Sequence, residues 1–330
     1  MQLIAILSFF VISACLPDSQ GEFADFENLQ SSTNEPTSEF TDEPTTEDPC
    51  TPTGSTDWLT SSTTRWDEGD IANNFGTQCG ETLTGSEGTI SYKSEEFFDT
   101  YERCLWIVRA HGKREIAFNL SNHSLGTEGV VHIATFWKHT PPYFRTYILK
   151  PGTTNVTMFG NVAVVMFAST SANGNGKGFM LDWIGMGDSA DVSDLSRDYI
   201  SSADWEINGG GNVTHPDNLP CEMYNDDELS VFVVATPDFK FVRDRFVRYK
   251  WQSYGMDNCY DWVWAYDFNY FQGWRARVRY CDLEGIDGEF VFGENVLYVF
   301  SSNYVRVGGG FSLSWQLPAE NGDMSKSENL

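Results

Sequence analysis

Two successive stretches of this chain carry apolar side chains at every second position, and that period limits the fold more than any other feature of the sequence. From Cys79 to Met186 the runs are short and broken by Gly, Asn and Pro: Cys104-Leu-Trp-Ile-Val, Glu115-Ile-Ala-Phe-Asn-Leu, Val130-Val-His-Ile-Ala, Thr146-Tyr-Ile-Leu, Ala163-Val-Val-Met-Phe and Gly178-Phe-Met-Leu-Asp-Trp. A second set runs from Gly211 to Gln316, with Leu229-Ser-Val-Phe-Val-Val, Asp261-Trp-Val-Trp-Ala-Tyr, Arg275-Ala-Arg-Val-Arg-Tyr, Leu297-Tyr-Val-Phe and Gly310-Phe-Ser-Leu-Ser-Trp. A period of two places alternate side chains on opposite faces of a strand. Close spacing between such strands predicts an antiparallel sandwich or barrel. No stretch holds a 3.6-residue stripe. Two copies of one strand rhythm predict an internal duplication. The expected fold class is all-β, two antiparallel β-sandwich modules in tandem.

The flanking segments differ in composition. Residues 1–21 form a short apolar run ending in small residues, the pattern of a secretory signal peptide rather than a membrane span. Residues 22–70 hold thirteen acidic side chains and one base, Arg65, among Ser, Thr and Pro. Too little apolar surface is present there to offset the entropy of ordering, so a disordered acidic stalk is expected. The expected boundaries are module one at 75–186, a polar linker at 187–207, module two at 208–317 and a polar tail at 318–330. No later stretch is long and apolar enough to span a bilayer.

Seven Cys occur in the chain, and loss of Cys15 with the leader leaves Cys50, Cys79, Cys104, Cys221, Cys259 and Cys281. An even count in an oxidising compartment reads as a disulfide framework. Four glycosylation sequons, at Asn119, Asn122, Asn155 and Asn212, fit the same compartment. The net charge of −26 argues against nucleic acid and anionic membrane as partners. No His lies in His-Glu-x-x-His, and no Gly-x-Ser-x-Gly elbow or phosphate-binding loop is present. The expectation is a protein that is not an enzyme.

The order of motifs resembles the CUB family. Cys79-Gly80, Gly88-Thr89-Ile90-Ser91 and Tyr101-x-x-Cys104-x-Trp106-x-Val108 follow the family's opening order, and Phe167-Ala-Ser-Thr with Gly178-Phe179 its closing one. In the second stretch Cys259-Tyr260-Asp261-Trp262-Val263 is similar to the signature Cys-x-x-Asp-x-Val segment, with one residue fewer between Cys and Asp. Phe300-Ser-Ser-Asn303 and Gly310-Phe311 repeat the close. The resemblance implies jelly-roll sandwiches with one cystine each, Cys79–Cys104 and Cys259–Cys281. Cys50 and Cys221 then remain, bridged to each other, with Cys50 bridging to another chain, or as free thiols. The resemblance also brings a calcium site. Carried over, it supplies only Asp261 and Asn303 in module two, a weak set for an ion that needs several anionic oxygens. In module one Gly129 and Thr170 stand where acids are required.

Alternation places Trp262, Trp264 and Phe268 opposite Val263 and Ala265. These aromatics are expected either as an exposed ligand-binding patch or as an interdomain contact, with Trp251 and Trp274 near. Arg275 and Arg277, alternating on a neighbouring strand, are candidates for an acidic ligand. The resemblance implies a secreted extracellular glycoprotein that binds a protein or glycan without chemistry of its own. The alternatives are a disulfide-linked matrix component and a carbohydrate-active enzyme on a sandwich scaffold.

Overall fold

The computed structural model describes residues 74–121, 123–138, 143–170, 176–189, 196–201, 209–219, 221–235, 247–256, 260–280, 288–292 (backbone alone), 295–303 and 308–316. All lie in one compact unit, Asp48–Leu330. The leader, stalk and tail expectations fall outside these residues, as do Asn122, Cys50, Cys259 and Cys281.

The described residues form nineteen strands and no helix. The first ten are β1 (Phe75–Gly76), β2 (Thr82–Thr84), β3 (Glu87–Phe97), β4 (Arg103–Arg109), β5 (Lys113–Ser121), β6 (Gly129–Trp137), β7 (Tyr143–Leu149), β8 (Asn155–Phe159), β9 (Val162–Ser169) and β10 (Lys177–Asp188). They make an outer sheet, β1-β3-β10-β5-β8, and an inner sheet, β2-β4-β9-β6-β7. The others are β11 (Asp198–Ile200), β12 (Gly210–His215), β13 (Leu229–Val234), β14 (Val247–Ser253), β15 (Trp262–Asn269), β16 (Gly273–Tyr280), β17 (Gly288–Phe292), β18 (Val296–Ser301) and β19 (Phe311–Gln316). They make a second inner sheet, β11-β13-β18-β15-β16, and a second outer sheet, β12-β19-β14-β17. Strand for strand the orders match, save that β1 has no counterpart. In each inner sheet a three-residue strand runs parallel to its sheet neighbour, β2 to β4 and β11 to β13. The segment read as a linker at 187–207 therefore contributes β11 to the second sandwich.

The duplication extends to hydrogen bonds. Glu102 N donates to Ser169 Oγ at 2.8 Å, and Ser169 Oγ donates to Asp99 O at 2.8 Å. In the second sandwich Glu228 N donates to Ser302 Oγ at 2.8 Å, and Ser302 Oγ to Asn225 O at 2.7 Å. Each glutamate carboxylate also accepts a backbone N–H, from Asp99 or Asn225. The preceding residue has a positive φ in both, 57° at Tyr101 and 62° at Asp227. Glycine recurs where strands come closest. A Cβ on Gly178 would lie 1.7 Å from Tyr92 O, and one on Gly310 1.9 Å from His215 O.

Alternation builds each core. Ile90, Tyr92, Trp106, Phe118, Phe167, Phe179 and Trp183 fill the first, and Phe232, Tyr249, Trp251, Tyr298, Phe300, Phe311 and Trp315 the second. Strands β4, β9, β13 and β18 are buried along their whole length, on both faces. The reason is a third cluster, in which Leu105, Ile107, Phe136, Val164 and Met166 of the first inner sheet meet Val231, Val233, Tyr266, Leu297 and Val299 of the second. Full burial of such side chains stabilises by about 1.5–3 kcal/mol each. Arg109 crosses the same seam, its Nε and Nη2 2.6 and 2.5 Å from the Asp198 carboxylate and its Nη2 2.9 Å from Leu229 O.

Phe136→Ala is expected to destabilise the whole chain by about 3–5 kcal/mol in urea unfolding, the cost of truncating a core phenylalanine. A change within about 0.5 kcal/mol, the value for an outward-facing surface residue, would mean that the inner sheets do not meet.

Candidate functional site

The β15–β16 hairpin carries most of the side chains singled out by the sequence, and its inward face lies against the first sandwich. Tyr266 is 1% exposed and packs on Phe144 at 4.4 Å and Phe136 at 5.7 Å between ring centroids. Trp264 stacks beside Tyr266, and Phe268 meets His132 edge-on at 4.9 Å and Trp274 at 5.3 Å. Trp264 and Phe268 are half-buried against the seam. Trp262, also half-buried, lies under the Arg279 guanidinium at 5.2 Å. Of the two expectations, interdomain contact describes Trp264 and Phe268, which pack against the cluster between the inner sheets, whereas Trp262 is not part of that cluster. The facing strands are apolar on both sides, so stacking them removes more surface from water than exposing the aromatics would allow. Trp274 is near, as expected. Trp251 is not, since it belongs to β14 and stacks on Tyr280 and Phe311 in the second core.

Arg275 and Arg277 hold an internal carboxylate. Asp267 is 5% exposed, with Arg275 Nη2 at 3.0 Å and Arg277 Nη2 at 2.6 Å. A buried carboxylate is costly unless paired in this way. The hydrogen bond to Asp267 raises the Arg277 pKa. Both arginines, still partly exposed, are thus paired with a carboxylate of the neighbouring strand.

The hairpin turn is tied to both modules. Asn269 Oδ1 accepts the N–H groups of Phe271 and Gln272, and Gly273 follows at φ 73°. Tyr270 OH donates to Glu128 O of the first module at 3.0 Å. The Arg103 guanidinium lies 5.8 Å from the Tyr270 ring and donates to Ser169 O at 2.6 Å. This frame presents Phe271, 80% exposed, edge-on to Tyr270. Beneath the turn His132 is 1% exposed, and a Cβ on Gly273 would lie 3.0 Å from its Nδ1. Burial lowers the His132 pKa to about 4, and Arg103 adds to the effect against the opposing pull of the Tyr270 backbone. The sequence marked neither Phe271 nor His132, because their roles depend on contacts between modules.

Asp261 is fully buried in the second module. Its Oδ2 accepts a hydrogen bond from Tyr224 OH, and its Oδ1 accepts one from Asn303 N at 2.8 Å. Asn303 thus reaches Asp261 through its backbone, and the carboxylate acts as a loop clamp. Among the described residues no group of three or more His, Cys, Asp or Glu is placed to hold a metal ion. In the first module Gly129 is buried and Thr170 Oγ1 donates to the Glu128 carboxylate.

Cys79 and Cys104 are bridged, with Cα atoms 5.1 Å apart. Cys221 is disulfide-bonded as well. Asn119, Asn155 and Asn212 are all exposed on the outer sheets. Asn119 and Asn155 are paired across β5 and β8 and line a groove of about 740 Å³ with Phe75, Thr89, Asp182 and Ile184.

No protein-family model matches the chain, and no curated protein matches it. Among solved structures, it is similar to the CUB1-EGF-CUB2 domain of human MASP-1/3, at 14% identity and a TM-score of 0.25, covering 71% of this chain and 100% of that one. The CUB1-EGF-CUB2 domains of rat MASP-1 align at 14% identity and 0.26, covering 71% and 99%. The full extracellular region of zebrafish Gpr126/Adgrg6 aligns at 12% and 0.26, covering 73% and 37%. Likeness at this level assigns neither a family nor an activity.

Two measurements follow from the buried groups. With an unfolded pKa of 6.5 and a folded value of about 4, the His132 contribution is fully present above pH 6.5 and is lost as pH falls through 4. Wild type is expected to lose about 3 kcal/mol more than His132→Phe between pH 7 and pH 3, read from urea unfolding at each pH. Asp261→Ala is expected to cost about 1–3 kcal/mol by stripping the acceptor from Tyr224 OH and Asn303 N, equally in calcium and in chelator. A loss seen only in calcium would make Asp261 a metal ligand.

Proposed function

We propose that this chain is a secreted, non-catalytic binding glycoprotein, made of two divergent CUB-like modules that act as one block and recognise an extracellular protein or glycan. The motif order and the twofold recurrence of one strand order support the CUB-like reading. No helix among the described residues is long and apolar enough to cross a membrane. Against catalysis stands an arrangement among the described residues that mimics a nucleophile triad. Ser230 Oγ donates to Glu228, and His215 Nε2 lies 2.9 Å from the same carboxylate, but all three are buried and the serine addresses the acid instead of the imidazole.

The observation that carries the binding reading is Phe271. A large aromatic ring at 80% exposure, on a turn fixed by Asn269, Tyr270 and Arg103, is pre-ordered at low entropic cost, as interface anchors are. The test is a panel of extracellular protein domains and glycans probed with the whole chain. Phe271→Ala is expected to weaken the partner found by about thirtyfold or more, the effect of losing a hot spot, with folding unchanged. A partner indifferent to Phe271, or turnover of a glycan, would defeat the reading.

A further inference from the structure

The groove on the first module's outer sheet crosses four strands. One row of paired residues runs Asn155 on β8, Asn119 on β5, Asp182 on β10 and Thr89 on β3. The next row runs Thr157, Ala117, Ile184 and Glu87. Three inter-strand steps make a track of about 14 Å, enough for the inner sugars of a glycan. The lining suits a saccharide. Asp182 accepts Thr89 Oγ1 at 2.8 Å and Ser121 Oγ at 2.9 Å, which fixes its carboxylate while leaving lone pairs for sugar hydroxyls. Phe75 and Ile184, 56% and 46% exposed, offer apolar surface for a pyranose face.

We infer that this groove seats the chain's own N-linked glycan, carried on Asn155. The inference rests on the secretory reading above. Two sequon asparagines line the groove, which distinguishes it from a site for a free saccharide. β8 is an edge strand of the sheet among the described residues, so Asn155 stands at one end of the track and a glycan on it runs inward over Asn119 and Asp182. Tethering gives that glycan an effective concentration that a free sugar lacks. Asn119 faces Asn155 in register, so a second glycan there would compete for the same space. The seated sugars cover Phe75 and Ile184.

The test uses the whole chain secreted from a eukaryotic host. Glycopeptide mass spectrometry is expected to find Asn155 occupied. Endoglycosidase release from the native protein is expected to be about tenfold slower at Asn155 than at Asn212, a difference worth one good contact. Denaturation removes the difference, and so does the Phe75→Ser/Ile184→Ser double variant, whose altered side chains are exposed and leave the cores intact. Equal release rates in the native protein overturn the inference. So does a glycan on Asn212 with none on Asn155, which leaves the secretory reading standing. No glycan at any sequon overturns both. If Asn155→Gln protein binds free N,N′-diacetylchitobiose while the wild-type glycan is released freely, the groove serves a foreign saccharide and the inference fails.

Discussion

Stacking of the two inner sheets is the constraint on which the rest of the molecule depends. A lone sandwich buries one face of each sheet and leaves the other to water. Here β4, β9, β13 and β18 are apolar on both faces, so each module has a surface it must hide. Hiding it inside the molecule draws the aromatic face of β15 out of solvent, desolvates His132 and places Arg109 in a fork with Asp198. Groups able to meet a partner are thereby left to turn tips and outer sheets, where Phe271 and the asparagine-lined groove are found.

The duplication survives better in hydrogen bonds than in residue identity. The Glu102–Ser169 and Glu228–Ser302 corners share donors, acceptors and a left-handed residue, although the intervening sequences have diverged. The residue that reaches the carboxylate, partly buried at Glu102 and fully buried at Glu228, has changed from the Tyr92 hydroxyl to the His215 imidazole. A buried carboxylate tolerates exchange of one partner for another and does not tolerate loss of partners, which explains why the pattern outlasts the residue types.

How far the sequence could be read depended on range. The all-β class, and the inward faces of β10, β14 and β19, follow from alternation that needs only neighbouring residues. The orientation of Trp262, Trp264 and Phe268 away from Val263 and Ala265 was equally legible. What covers them was not, because that is decided by strands 130 residues away. A signal was present: Leu229-Ser-Val-Phe-Val-Val and Ala163-Val-Val-Met-Phe are nearly continuous runs, the mark of strands covered on both sides. The pairing of Arg275 with Asp267 required a register that shifts by one residue between Ala265 and Tyr266. β11 is three residues long, too short for any period to show.

The same sheet of each module supplies the seam, and that identity sets how many modules one seam can join. A head-to-tail arrangement would leave one adhesive face free at each end and could lengthen indefinitely. Like facing like consumes both faces at once, so the pair is self-terminating. The outermost layers carry the sequon asparagines, Asn119 and Asn155 on one and Asn212 on the other. At this seam, duplication therefore produced a closed couple.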